Sequence, residues 1–201
     1  HVRACNAYSK LTLPETPLLL VEFHGTSDSV EDDAARFTDI CDDHSPSPFH
    51  WSDDPDERKK LWKARHDALW AAYALIPGAT GFATDVCVPI SRLADCIEDT
   101  ITDIEAAGLT APIVGHVGDG NFHVLPLAMP DDIDMHHKIS EFSGRLTARS
   151  LKLGGTCTGE HGIGQGKSIY LRAEIGEAVD IMEDVKKTFD PKNILNPGKI
   201  F

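Results

Sequence analysis

Two histidines, His116 and His123, stand on either side of Gly118-Asp119-Gly120 in the stretch PIVGHVGDGNFHVLP, residues 112–126. Asp-Gly between β-type apolar runs signals a hairpin, because a tight turn needs positive φ and these residues tolerate it. With Asp119 and Gly120 as the two turn residues, Gly118 falls opposite Asn121, Val117 opposite Phe122, and His116 opposite His123. A four-residue turn closed by Val117 and Phe122 keeps that pairing; a three- or five-residue loop does not. Directly opposed residues share a sheet face with Cβ atoms roughly 4.5–5.5 Å apart. Two imidazoles so placed can bind one divalent ion, each nitrogen about 2.0–2.1 Å from a zinc. The competing reading is a hairpin carrying two half-exposed histidines.

Catalytic metal centres take three protein ligands and keep one position open. Glu160, in TGEHGIG, is the next candidate, since its glycine-rich setting lets backbone come close to a ligand. In an extended loop the side chains of Glu160 and His161 point apart, so one can bind metal while the other faces a substrate. The alternative is a mobile surface loop with a chance acid and base. His1, His24, His44, His50, His66, His136 and His137 have no comparable setting and read as surface or packing residues. Arg65 can fork onto a carboxylate through two parallel hydrogen bonds, or be a solvated helix arginine. Asp119 reads as a turn residue, because its backbone role already explains it. GIGQGKS resembles a phosphate-binding loop only superficially: the G-x-x-x-x-G-K-[ST] and G-x-G-x-x-G patterns are both missing.

The elements that must position these residues follow from local signals. Leu18–His24 (LLLVEFH) reads as a strand covered on both faces. Ser27 or Asp28 caps a helix to about Cys41. Residues 42–54 form a polar loop, and Pro55 opens a helix to about Leu75. There Leu61, Ala64, Ala68, Leu69 and Ala72 mark a buried stripe, with Arg65 near its edge. Phe82–Val88 is a second strand, and Ser91 caps a helix over Arg92–Ala107 that Gly108 stops. After the hairpin, Asp131 or Asp132 starts a helix to about Leu153. Gly154–Gly166 is a glycine-dense loop, and a last helix spans about Ala173–Phe189. Few strands and segregated helices give an α+β fold with an antiparallel or mixed sheet covered by helices.

The 201 residues suffice for one domain with a real core, or at most two small ones, and 41% hydrophobic with 25% charged content is that of an ordinary globular protein. With 19 basic and 32 acidic residues the net charge is −13, which excludes a nucleic-acid binder dependent on a basic surface. Cys5, Cys41, Cys87, Cys96 and Cys157 are odd in number and widely spaced. That argues against a disulfide framework or thiolate zinc site, and for a reducing compartment. No apolar run is long enough to span a membrane.

GHVGDGNFH, TGEHGIGQGK and the closing DPKNILNPGK together resemble the C-terminal domain of FAD-linked oxidases, in the vanillyl-alcohol oxidase superfamily. WKARHDALWAA and TDVCVPISRLADCI are most similar to the D-lactate dehydrogenase and glycolate oxidase subunit branch. The resemblance runs from about Leu18 to Phe201. It implies that residues 1–201 form one ferredoxin-like α+β cap domain, with the FAD-binding domain outside this chain. It implies oxidation of a D-2-hydroxy acid to the 2-keto acid, with FAD taking the hydride. His116, His123 and Glu160 match the ligands of a divalent metal, zinc or manganese. His161 matches the general base, and Arg65 the arginine that holds the substrate carboxylate. Asn196, in the NPGK tail, matches the segment that returns toward the flavin domain.

Relatives acting on longer, dicarboxylic hydroxy acids carry a threonine and a lysine where this chain has Leu69 and Ala83, which favours a small substrate such as D-lactate. The implied partners are that substrate, the FAD-binding domain and an electron acceptor of unspecified kind, with a homodimer left open. The implied location is intracellular, cytoplasmic or peripheral to the inner membrane, and mitochondrial in a eukaryote. The competing functions are a stand-alone metal-dependent hydrolase and a non-catalytic metal-binding module.

Overall fold

A stripe of alanines organises residues 1–75. This is the first of two units, His1–Leu75 and Ile76–Phe201, in the computed structural model, which describes residues 1–44 and 52–201. Its helices are α1 (Val2–Ser9), α2 (Ser27–His44), α3 (Pro55–His66) and α4 (Ala68–Tyr73). Ala64, Ala68, Ala71 and Ala72 are buried, and their small side chains let α1 lie close on α3 and α4. Pro55 takes the first turn of α3, where a missing N–H costs nothing. The Asp54 carboxylate accepts from the N–H groups of Asp56 and Glu57 at 2.8 and 2.9 Å.

Two expectations fail in this unit. The helix expected to reach Leu75 breaks at Asp67, whose carboxylate accepts from the Ser9 hydroxyl at 3.1 Å and from the Lys63 ammonium. Ala64, Ala68 and Ala72 keep their buried phase across the break, but Leu69, expected on the same stripe, is 44% exposed while Ala71 is fully buried. Leu18–His24 is not a strand. Among the described residues it has no ladder partner, and Leu18, Leu19 and Val21 are exposed. An apolar run supplies strand material, but only a neighbour makes a strand. Of the expected 42–54 loop, residues 42–44 end α2 and 52–54 lead into α3. The remainder, with His50, lies outside the described residues.

The second unit has the expected α+β character. Its elements are β1 (Thr80–Gly81), β2 (Val86–Cys87), α5 (Ile90–Ala107), β3 (Ile113–His116), β4 (Asn121–Val124), β5 (Leu127–Ala128), α6 (Ile133–Lys152), α7 (Ser168–Ile175) and α8 (Ala178–Phe189). All pairing is antiparallel: β2–β4–β3 form one sheet and β1–β5 another. The strand expected over Phe82–Val88 shrinks to β2 at Val86–Cys87, with β1 lying just before it, opposite a chain interrupted at Pro126, which has no N–H to give a ladder. Backbone bonds bridge the gap, from Phe82 N–H to the Pro126 carbonyl and from Thr84 N–H to that of Val124, at 3.1 and 2.9 Å.

Strand alternation sorts this sheet. Val86, Val88, Phe122 and Val124 form the core with Leu93 and Cys96 of α5 and Ile139, Phe142 and Leu146 of α6. The opposite face carries Asp85, Cys87, Asn121, His123 and His116. The start of α6 and the end of α5 follow the expected chemistry, but Ser91 does not cap α5, which begins at Ile90 behind Pro89 with no side-chain cap bond, and Ser27 and Asp28 lie inside α2 instead of capping it. Asp132 caps α6 by accepting from Met135 N–H at 2.9 Å, and Gly108 ends α5 at φ 66°. The single last helix becomes α7 and α8, because Gly176 sits at φ 59°, ψ −130°, a conformation open only to glycine.

Candidate active site

The hairpin register differs from the sequence expectation by two residues. His116 pairs with Asn121, and Val114 pairs with His123. The turn is four residues long: Val117–Asp119 form a 3₁₀ turn and Gly120 closes it at φ 76°. The position of Gly120 is fixed from outside the hairpin, since its carbonyl accepts from Val88 N–H at 3.0 Å. A slip of two residues preserves side-chain parity. His116 and His123 therefore remain on one face, diagonal to each other instead of opposed.

Four of the expected residues meet there. His123 Nε2 lies 2.7 Å from Glu160 Oε1, and His116 Nε2 lies 4.0 Å from the same oxygen. His161 stacks its ring on that of His123, with centroids 4.8 Å apart and planes within 9°. Glu160 and His161 do not part company as expected; Glu160 meets the edge of His123 and His161 its face. His123 Nδ1 is 3.0 Å from the Thr84 carbonyl oxygen, which can only accept, so Nδ1 carries a proton. Nε2 then presents its lone pair to a carboxylate oxygen. Two acceptors at 2.7 Å need positive charge between them, a second ring proton or a metal ion.

The loop holding Glu160 and His161 is organised by Asp85, a residue with no role in the sequence reading. Asp85 is 1% exposed. Its Oδ2 accepts from Thr158 Oγ1 at 2.7 Å and from the N–H groups of Gly159, Glu160 and His161 at 2.9, 3.0 and 2.8 Å. Its Oδ1 accepts from Asn121 Nδ2 at 2.8 Å, and Lys167 Nζ donates to the Asp85 carbonyl at 2.9 Å. Burial alone would push this carboxyl up. The bonds donated by His161, Thr158, Asn121 and Glu160 outweigh it and hold the carboxyl far below the usual range. Asn121 Oδ1 is itself buried and has no donor among the described residues.

Among the described residues, the ligand atoms that all lie within 4.8 Å of one another are those of Asp85, His123 and His161, not those of the expected set His116, His123 and Glu160. Asp85 is nonetheless a poor metal ligand here, since its lone pairs are already taken by amide, hydroxyl and ammonium donors. Sequence signals for Asp85 did exist. An acid between Thr84 and Val86 in an apolar strand needs donors if buried, and a glycine-rich loop has backbone N–H groups to give.

Arg65 is half-buried in the last turn of α3, in the first unit. Asn196 is exposed in the C-terminal tail, at φ 46°. Ala83 is exposed. Asp119 has the expected turn role, its carbonyl accepting from Cys87 Sγ at 3.2 Å.

Comparison with known proteins decides the family. Residues 1–200 match the model of FAD linked oxidases, C-terminal domain. The chain belongs to this family. It is 48% identical over 200 residues to a probable mitochondrial D-lactate dehydrogenase of Danio rerio, covering 99% of this chain and 40% of that protein. It is 34% identical over 198 residues to glycolate oxidase subunit GlcD of Bacillus subtilis, covering 96% of this chain and 42% of that one. The chain thus spans about two-fifths of the length of these relatives. Among solved structures, 4-ethylphenol oxidase from Gulosibacter chungangensis in its isoeugenol complex superposes with a TM-score of 0.65 at 19% identity. That match covers 88% of this chain and 37% of the other, and at this identity it speaks for the fold alone.

Proposed function

We propose that this chain is the substrate-side domain of an FAD-dependent dehydrogenase that oxidises a small D-2-hydroxy acid, D-lactate before others, to the 2-keto acid. The observation that carries the reading is the meeting of Glu160 and His161 on the ring of His123. It sets a candidate base beside a candidate metal set, in a family whose relatives include the probable D-lactate dehydrogenase of Danio rerio.

The donor types suit a divalent ion, zinc or manganese, although the three ligand atoms are not gathered within 4.8 Å of one another. The set offers two imidazoles and a carboxylate, one imidazole held in its Nε2-ligating tautomer by the Thr84 carbonyl, as metal-binding histidines usually are. When bound, such an ion supplies positive charge to polarise the substrate oxygens, and FAD supplies the two-electron acceptor. His161, exposed and held against His123, takes the hydroxyl proton as general base. Arg65 anchors the substrate carboxylate through its planar fork. Ala83 and Leu69 offer no partner for a second carboxylate, which keeps the preference with small substrates. Asn196, on the exposed tail, contributes toward the flavin side. No helix among the described residues is long and apolar enough to cross a membrane. A mitochondrial location is proposed from the relative's name.

The test uses full-length protein loaded with FAD. Wild type is expected to retain about one zinc or manganese per chain after dialysis and to oxidise D-lactate with an artificial electron acceptor. His116→Ala/His123→Ala is expected to lose the metal and most of the activity. Equal metal retention by the double mutant would remove these histidines from the site. Ester hydrolysis without flavin would favour the hydrolase reading.

A further inference from the structure

We propose that Asp85 is the positioning residue of this site: its buried carboxylate is the template on which the Thr158–His161 turn is folded, and so it fixes where Glu160 and His161 stand relative to His123. The proposal rests on the reading of that cluster as the active site and deepens it.

Consecutive backbone amides that converge on one point form a concave anion-binding nest. Here the N–H groups of Gly159, Glu160 and His161 converge on Asp85 Oδ2 at 2.9, 3.0 and 2.8 Å, with the Thr158 hydroxyl at 2.7 Å. The nest is therefore filled by the protein's own carboxylate. Gly159 is required by the fit: a Cβ there would collide with Asn121 Nδ2 and lie 3.0 Å from Asp85 Oδ1.

The chain before Asp85 holds the other half of the site. The Thr84 carbonyl orients His123 through Nδ1 at 3.0 Å. Asp85 is tied to the same strand through Asn121 Nδ2, at 2.8 Å, and Asn121 pairs directly with His116. Two adjacent residues, Thr84 and Asp85, thus hold the histidine strand and the Glu160–His161 turn against each other. The loop enters this arrangement from the free edge of β2, where Thr156 N–H donates to the Cys87 carbonyl at 2.8 Å. It leaves past Lys167, whose ammonium reaches the Asp85 carbonyl at 2.9 Å. Asp85 makes no direct contact with substrate in this scheme and acts only through Glu160 and His161.

The experiment compares Asp85→Asn, Thr158→Val and His123→Ala with wild type in the full-length protein, by hydrogen exchange and by D-lactate kinetics. Asp85→Asn keeps the shape and turns one acceptor oxygen into a donor that opposes the loop amides. It is expected to speed exchange of residues 156–163 by about tenfold or more, the loss of at least one charge-assisted hydrogen bond, while α5 and α6 keep wild-type protection. The kcat is expected to fall by about a hundredfold, since misplacement of a reacting group by about 1 Å costs that much, with KM changed by less than about threefold. Thr158→Val removes one donor and leaves the carboxylate; its effects should have the same pattern at smaller amplitude, which keeps the test available if Asp85→Asn does not fold. Wild-type exchange in 156–163 for both variants overturns the proposal. So does faster exchange spread equally over α5 and α6, which would make Asp85 a general stability residue. Fast loop exchange together with full D-lactate turnover in His123→Ala would leave the template role standing and refute the reading of the cluster as the active site.

Discussion

One imidazole, His123, is held from three directions: the Thr84 carbonyl at Nδ1, Glu160 at Nε2 and the His161 ring across its face. Such a side chain has one workable tautomer and one workable rotamer, and its place depends on the backbone beneath it. That backbone is set by the turn. Gly120 has φ 76°, and a Cβ there would collide with the Val88 carbonyl oxygen. That oxygen belongs to the backbone beside β2 and cannot retreat. Gly118, two residues earlier in the same turn, has nothing within 4 Å of a built Cβ. Gly120→Ala is therefore expected to destabilise the protein by about 2–4 kcal/mol, the sum of positive-φ strain and an overpacked contact. Gly118→Ala should stay within about 0.5 kcal/mol of wild type. Urea unfolding midpoints measure both; equal effects would mean the turn is not pinned at Gly120. The co-facial histidines were legible in the sequence because side-chain parity survives a two-residue slip in register. Their diagonal pairing was not, because the residue that fixes the slip, Val88, lies outside the hairpin.

The elements with strong end signals, α3, α5 and α6, could be read at their starts or stops from Pro55, Gly108 and Asp132, since caps are local chemistry. Leu18–His24 could not be read as non-strand, because strand formation depends on a partner that local sequence does not name. The C-terminal tail shows what a single acid can do for an element with little burial of its own. The Lys186 ammonium and the N–H groups of Ile194 and Leu195 hold the Asp190 carboxyl down at about 2, the two amides at 2.9 Å each. Lys186 also donates to the Leu195 carbonyl at 2.7 Å, so the lock has two arms. An unfolded aspartate titrates near about 3.9. The folded value is lower, so this stabilisation is complete above about pH 4 and is lost as pH falls toward about 2. The Ile194 and Leu195 amide resonances are expected to move together through that window. Asp190→Asn should show at pH 7 the shifts that wild type reaches at its acid limit. Amide shifts that stay flat down to pH 2 would show that Asp190 does not hold the tail.

At the scale of the whole chain, sequence matches of 99% and 96% coverage reach only 40% and 42% of the relatives' lengths. The flavin reading therefore depends on how FAD could be held. A dinucleotide binder needs a cradle of free backbone N–H groups for the pyrophosphate, at a glycine-rich turn opening a helix. This chain has one glycine-dense loop, Gly154–Gly166, and three of its amides converge on an anion. That anion is Asp85, buried and bonded at 2.8–3.0 Å. Evicting it would cost the bonds that order the candidate site, and a phosphate entering beside it would meet like charge in a buried position. The net charge of −13 adds no long-range attraction for a dianionic cofactor. The 201-residue chain alone is therefore expected to show no saturable quenching of flavin fluorescence up to about 10 μM FAD, equivalent to binding no tighter than about −7 kcal/mol. Asp85→Ala empties the nest and tests the cause: inorganic phosphate should then raise the melting temperature of the variant and leave that of wild type unchanged. Stoichiometric FAD binding by the unmodified chain would show that the cofactor is held by surfaces other than a glycine-loop cradle, and the division of labour proposed for this domain would have to be redrawn.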